Sequence, residues 1–159
     1  MKFQYIRRFV LAACTAVVCV CPGLALADER GSKEEASAMV DRAIEHVRKV
    51  GPEKAFADFS DKENKEWHVK DVYLFCYNAK NVNTCHGANE KLIGKDLSEM
   101  KTPDGQLLIK TMNELVAKKG SGWIEYDWPH PQTKKTEHKQ AVVKKLPSGE
   151  GFLGAGIYR

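Results

Sequence analysis

The stretch Val72-Tyr73-Leu74-Phe75-Cys76-Tyr77 restricts the fold more than any other part of the sequence. Aromatic and β-branched side chains lose rotamer freedom in a helix but pack well on a pleated surface, so a run this rich in them favours a strand. A polar Asn78-Ala79-Lys80-Asn81 segment follows, and then a second short run from Val82 to His86. Two such runs around a turn-forming segment predict an antiparallel β-hairpin. With the turn at Lys80-Asn81, Cys76 and Cys85 stand opposite each other, where a cross-strand disulfide fits. Other uses of the pair lack parts. A metal site has only His86 beside it and no second cluster at ligand spacing, and a redox pair needs Cys-x-x-Cys. Thr84-Cys85-His86 ends like a haem attachment string, but Val82 stands where that motif needs its first Cys.

Whether these cysteines oxidise depends on compartment, and the N-terminus addresses that. Lys2, Arg7 and Arg8 precede an apolar run from Phe9 to Leu26, which Pro22-Gly23 breaks before Ala25-Leu26-Ala27. This is the layout of a secretory signal peptide, residues 1–27, cleaved after Ala27. The mature chain is then residues 28–159, periplasmic or secreted. An uncleaved membrane anchor is the other reading, because Phe9 to Leu26 sits at the lower edge of spanning length. Leu11-Ala12-Ala13-Cys14 resembles a lipoprotein box but leaves few apolar residues after Arg8.

Removing the signal takes three cations and no acid, so a formal net charge of +4 becomes +1, and two of five cysteines remain. A nearly neutral chain does not suit an electrostatically driven nucleic-acid binder. No later stretch approaches the roughly 20 apolar residues of a second membrane span.

Along the mature chain, Ser32-Lys33-Glu34-Glu35 forms a capping box ahead of Ala36, Met39, Val40, Ala43, Ile44 and Val47. It opens an amphipathic helix to about Lys49, stopped by Gly51-Pro52, where a short second helix begins. Residues 89–104 read as loop. Leu107, Leu108, Met112, Leu115 and Val116 form a helical stripe ending at Lys118-Lys119-Gly120. Three strands finish the chain, Gly122 to Trp128, about Lys135 to Leu146, and Gly151 to Tyr158. The expected fold class is α+β: one domain, a long N-terminal helix packed on an antiparallel sheet.

Several exact strings in this order resemble the single Cache domains, PAS-like extracytoplasmic sensor modules of bacterial receptors. They are Met39-Val40-Asp41-Arg42-Ala43, Gly51-Pro52-Glu53-Lys54-Ala55-Phe56, Asp71-Val72-Tyr73-Leu74-Phe75, His86-Gly87-Ala88-Asn89 with Leu92-Ile93-Gly94-Lys95-Asp96-Leu97, Gly120 to Pro129 with Lys139, and Gly154-Ala155-Gly156-Ile157-Tyr158. The resemblance implies a ligand pocket on one sheet face and small organic acids as a common ligand class. In the family such a domain usually lies between two membrane spans and drives a kinase or chemoreceptor. Here Arg159 follows Tyr158 with no second span or transmitter in the sequence, so a freestanding form is expected.

A small carboxylate needs fixed donors or a cation and an apolar wall. The mature arginines, Arg30, Arg42, Arg48 and Arg159, fall on the first-helix side or at the end. A cation in a sheet pocket is therefore Lys or His. Lys139 stands where the family has a lysine after the Tyr-x-Trp-x-x-Pro string. Strand alternation projects Tyr126 and Trp128 together, with Trp123, Glu125 and Asp127 on the opposite face. Tyr126 offers a hydroxyl and Trp128 a wall with one N–H. His86 is expected to donate to the anion or to change charge near neutral pH. Where the family often has a Tyr three residues after the lysine, this chain has Val142, which would take a hydroxyl from the pocket face.

No catalytic set, phosphate loop, cofactor motif or metal motif stands out. The expectation is thus a non-enzymatic, exported, small-ligand-binding sensor-type domain that binds a short-chain carboxylate for signalling or delivery. Lys139, Tyr126, Trp128 and His86 would surround the ligand. The alternative is an interaction module that docks on a membrane receptor, or self-associates through the long helix, without a small ligand.

Overall fold

A computed structural model describes residues 30–103 and 105–159. The signal-peptide reading for residues 1–27 lies outside them. Three α-helices, α1 (Lys33–Val50), α2 (Pro52–Ser60) and α3 (Leu108–Lys119), flank six strands: β1 (His68–Val69), β2 (Val72–Tyr77), β3 (Asn83–His86), β4 (Ser121–Pro129), β5 (Thr136–Lys145) and β6 (Phe152–Tyr158). The expected α+β fold is present, with every strand pairing antiparallel.

The capping box forms as read: the Glu35 N–H donates to the Ser32 hydroxyl, and the Ser32 N–H donates to the Glu35 carboxylate. Gly51 takes φ +83, a conformation costly for residues with a Cβ, and Pro52 opens α2 in the first helical turn, where no N–H is needed. Cys76 and Cys85 are opposite and joined by a disulfide. The hairpin departs from simple register one residue later. Tyr77 pairs with Asn83, a bulge that leaves Thr84 unmatched. Strand β1 and a 3₁₀ turn at Glu90–Leu92 were not foreseen.

The strand order is β1-β2-β6-β5-β4, with β3 also pairing β2. The last strand of the chain thus enters the middle of the sheet. One sheet face packs on α1 and α2, through Met39, Val40, Ile44 and Phe59 against Leu74, Cys76, Leu153 and Ile157. The other packs under α3, through Leu108, Ile109 and Met112 against Phe75, Tyr77, Tyr126 and Tyr158. The apolar stripe of α1 is buried, and most of its charged residues are exposed. Among the described residues no helix is long and apolar enough to cross a membrane.

Candidate functional site

Alternation along β5 sends Lys139, Ala141 and Val143 toward α3. Lys139 is 0% exposed. It stands opposite Tyr126 of β4 and Tyr158 of β6. Gly156 leaves space for its stem, since a Cβ there would come within 2.7 Å of Lys139 Cε. The ammonium Nζ lies 4.0 Å from the ring centroid of Tyr73, 5.0 Å from that of Tyr158 and 5.1 Å from that of Phe75. Aromatic faces are negative, so this is an attractive seat for a cation. Among the described residues no carboxylate lies within ion-pair distance of it, and the three rings are its close neighbours. Burial lowers its pKa to about 7, against the opposing pull of the Asp71 carboxylate.

Lys139 forms part of the lining of a small cavity together with His86, Tyr126 and Trp128. All four residues singled out in the sequence therefore meet. Phe75 and Tyr77 supply the sheet wall, and Leu108, Ile109 and Met112 of α3 close it. The space open to a water centre is about 10 Å³, the size of about one water.

His86 Nδ1 accepts from the backbone N–H groups of Ala88, at 3.3 Å, and Asn89, at 3.0 Å. A nitrogen that accepts carries no proton, so in the neutral ring the proton sits on Nε2. Burial, and then the charge of Lys139, push the pKa of His86 down to about 3. Of the two roles read from the sequence, donation to an anion and a change of charge near neutrality, this shift favours the first. Burial also raises the Tyr126 pKa well above the usual range, so its hydroxyl keeps its proton. Trp128 stacks on His86 with centroids 6.5 Å apart and meets Tyr126 edge-on at 5.9 Å. Beyond the His86 and Trp128 rings lies a groove of about 530 Å³, with Asn89, Lys91, His130 and Lys134 on its walls.

Val142 is not on this face. It packs with the α1 cluster, because positions three apart on a strand point to opposite sides. The missing hydroxyl inferred there does not concern the cavity. Trp123 faces away from the cavity and is 38% exposed beneath the Lys33 ammonium.

Tyr73, Tyr158 and Asp71 lie around the Lys139 side chain and were not singled out from the sequence. Tyr158 donates to the Pro129 carbonyl at 3.0 Å, which leaves Tyr73 to donate to Tyr158 at 2.9 Å. Asp71 is buried, accepts from the Gly31 N–H at 2.5 Å and the Tyr158 N–H at 3.4 Å, and lies 3.9 Å from His130. A usable signal existed for Tyr158. A turn at Pro147-Ser148-Gly149-Glu150 sets it beside Lys139. Among the described residues no group of three His, Cys, Asp or Glu is placed to hold a metal ion.

The family model for the Cache domain matches residues 62–159. The chain belongs to the Cache domain family. Cache domains are extracytoplasmic sensory modules that bind ligands, and α1 and α2 precede the matched stretch of this one. It is similar to a Cache chemosensory domain solved for carboxylic acid recognition, at 25% identity and a TM-score of 0.66 over 79% of this chain and 91% of that one. It is also similar to a methyl-accepting chemotaxis protein from Vibrio parahaemolyticus, at 25% identity and a TM-score of 0.61 over 79% and 87%. Methyl-accepting chemotaxis protein McpP of Pseudomonas putida is 30% identical over 73 residues, which are 46% of this chain and 13% of McpP. The matched Cache region is thus a small part of that protein's length.

Proposed function

We propose that this Cache domain is an exported sensor-type module that binds a small organic acid, a short-chain carboxylate, in the cavity at Lys139 for signalling or delivery. The observation that carries the reading is the Lys139 ammonium, fully buried and, among the described residues, with no anionic partner within ion-pair distance. A buried cation is costly unless something neutralises it, and a carboxylate does so. The Tyr126 hydroxyl and the His86 Nε2–H add donors, and the Trp128 and α3 side chains form the apolar wall. The similar Cache chemosensory domain solved for carboxylic acid recognition supports the ligand class. The small cavity favours acids of few carbons and requires neighbouring side chains to shift on entry.

In the same reading residues 28–159 form the mature domain, periplasmic or secreted after cleavage behind Ala27. A homodimer through α1 would meet through its charged face, because Met39, Val40, Ile44 and Val47 are spent on the sheet.

The test is thermal unfolding with acetate, propionate, pyruvate and lactate. A bound acid at one hundred times its Kd stabilises the fold by about 2.7 kcal/mol. The shift is expected with at least one acid and should disappear in the Lys139→Ala, Tyr126→Phe double variant. No shift with any acid, or an equal shift in the variant, sinks the reading.

A further inference from the structure

We propose that the cavity takes up one proton with each carboxylate it binds, so that the domain reads acidity and acid concentration together. This rests on the reading of the cavity as a carboxylate site. Its carrier is geometric: a fully buried amine with aromatic rings around it and, among the described residues, no anion within ion-pair distance. Such a group favours its neutral form when buried without an anion and its charged form beside one. Binding therefore converts R–NH₂, a proton from solvent and R′–COO⁻ into an ammonium–carboxylate pair. No bond between heavy atoms changes.

The groups facing Lys139 leave it as the cavity's proton acceptor. From β2 come Tyr73, Phe75 and Tyr77, and from the segment just before it Asp71, whose carboxylate already accepts two backbone N–H bonds. From β3 comes His86, neutral with a pKa of about 3. From β4 comes Tyr126 and from β6 Tyr158, both with pKa values raised by burial. The α3 side chains, Leu108, Ile109 and Met112, do not titrate. His130 stands behind Tyr158, 4.6 Å between ring centroids, and near Asp71, outside the cavity lining. The lowering of the Lys139 pKa to about 7 agrees with the geometry and sets the range in which the effect is seen.

At a pH above that value, every bound carboxylate must bring a proton, and affinity falls about tenfold per pH unit. Below it, the amine is already charged and affinity levels off until the acid itself protonates, in the usual carboxyl range near pH 4 to 5. Thermodynamically, the domain then responds on the alkaline side to the undissociated acid.

The experiment is calorimetric titration with acetate, propionate, pyruvate and lactate at pH 6, 7.5 and 9, each in two buffers of different ionisation enthalpy. Expected are roughly one proton taken up per ligand at pH 9, a smaller fraction at pH 6, and a Kd ten- to a hundredfold weaker at pH 9 than at pH 6. Lys139→Arg, charged throughout, should bind without proton uptake. If that variant does not fold, the Lys139 side-chain NMR signal of the wild type at pH 8.5 takes its place and should move to its charged position when the acid is added. Equal affinities at pH 6 and 9 with buffer-independent heats overturn the proton coupling and leave the carboxylate site standing. Uptake that persists in Lys139→Arg, or an unmoved Lys139 signal, assigns the proton elsewhere and overturns it too. No binding of any acid at pH 6 overturns both readings.

Discussion

A buried amine whose burial outweighs the pull of its nearest carboxylate weakens the fold that contains it, and Lys139, with Asp71 beyond ion-pair distance, is such a group. Its folded pKa of about 7 lies below the unfolded value near 10.4. Between those values the unfolded chain holds the extra proton, so stability rises with pH across that window. The penalty is fully present below pH 7 and gone near pH 10. Lys139→Met keeps the length of the side chain and removes the amine. It should therefore be more stable than the wild type by on the order of a few kcal/mol at pH 6, with the difference shrinking toward pH 10. Urea unfolding at the two pH values measures this. A variant no more stable at pH 6 would show that the ammonium is not desolvated. At this scale the sequence was partly legible. Lys139, Tyr126, Trp128 and His86 were found through resemblance and alternation. Asp71 was not, because a carboxylate in front of a strand looks solvated until the fold shows the N–H groups of Gly31 and Tyr158 converging on it. The Val142 expectation failed for a simpler reason: strand parity was not applied between positions 139 and 142.

Elements were more readable than sites because their signals are local. The capping box, the Gly51-Pro52 stop and the cation-rich end of α3 each depend on neighbours within a few residues, and each sets a boundary in the structure. Strand β1, two residues long, is too short for any periodic signal. The hairpin β2–β3 is the intermediate case. Its turn and cysteine pair were legible, while the bulge after Cys76 was not, since nothing in Asn83-Thr84 marks the extra residue. Among the described residues the Thr84 hydroxyl is buried without a hydrogen-bond partner, so register on this side is held less by side-chain bonding than by the cross-link. Replacing both Cys76 and Cys85 by Ala should lower stability by about 2–3 kcal/mol, the scale for a short cross-linked loop. Chemical unfolding of the double variant, against the oxidised wild type, checks the value. An unchanged midpoint would mean that the strand pairing alone fixes the register.

Across the molecule, the sheet separates two cores of different character, aliphatic side chains with Phe59 and Trp67 under α1 and α2, and a tyrosine-rich layer with one buried cation under α3. That separation follows from alternation and was legible. The insertion of β6 between β2 and β5 was not, because which strands adjoin is decided by long-range pairing that no local pattern records. This insertion returns Tyr158 to the start of the domain, where Asp71 accepts from Gly31 and Tyr158 through its two oxygens. Residues 30 and 159 are therefore near neighbours, and the order in which the chain is threaded need not matter to the final packing. A permutant in which a short glycine-rich linker joins residue 159 to residue 30, with new termini opened between Ser148 and Gly149, should fold with an unfolding midpoint within a few degrees of the unpermuted residues 30–159. A loss of cooperative unfolding would refute this. Seen this way, Asp71 works as the clasp of a ring: the domain is a closed circuit of elements fastened at a single carboxylate.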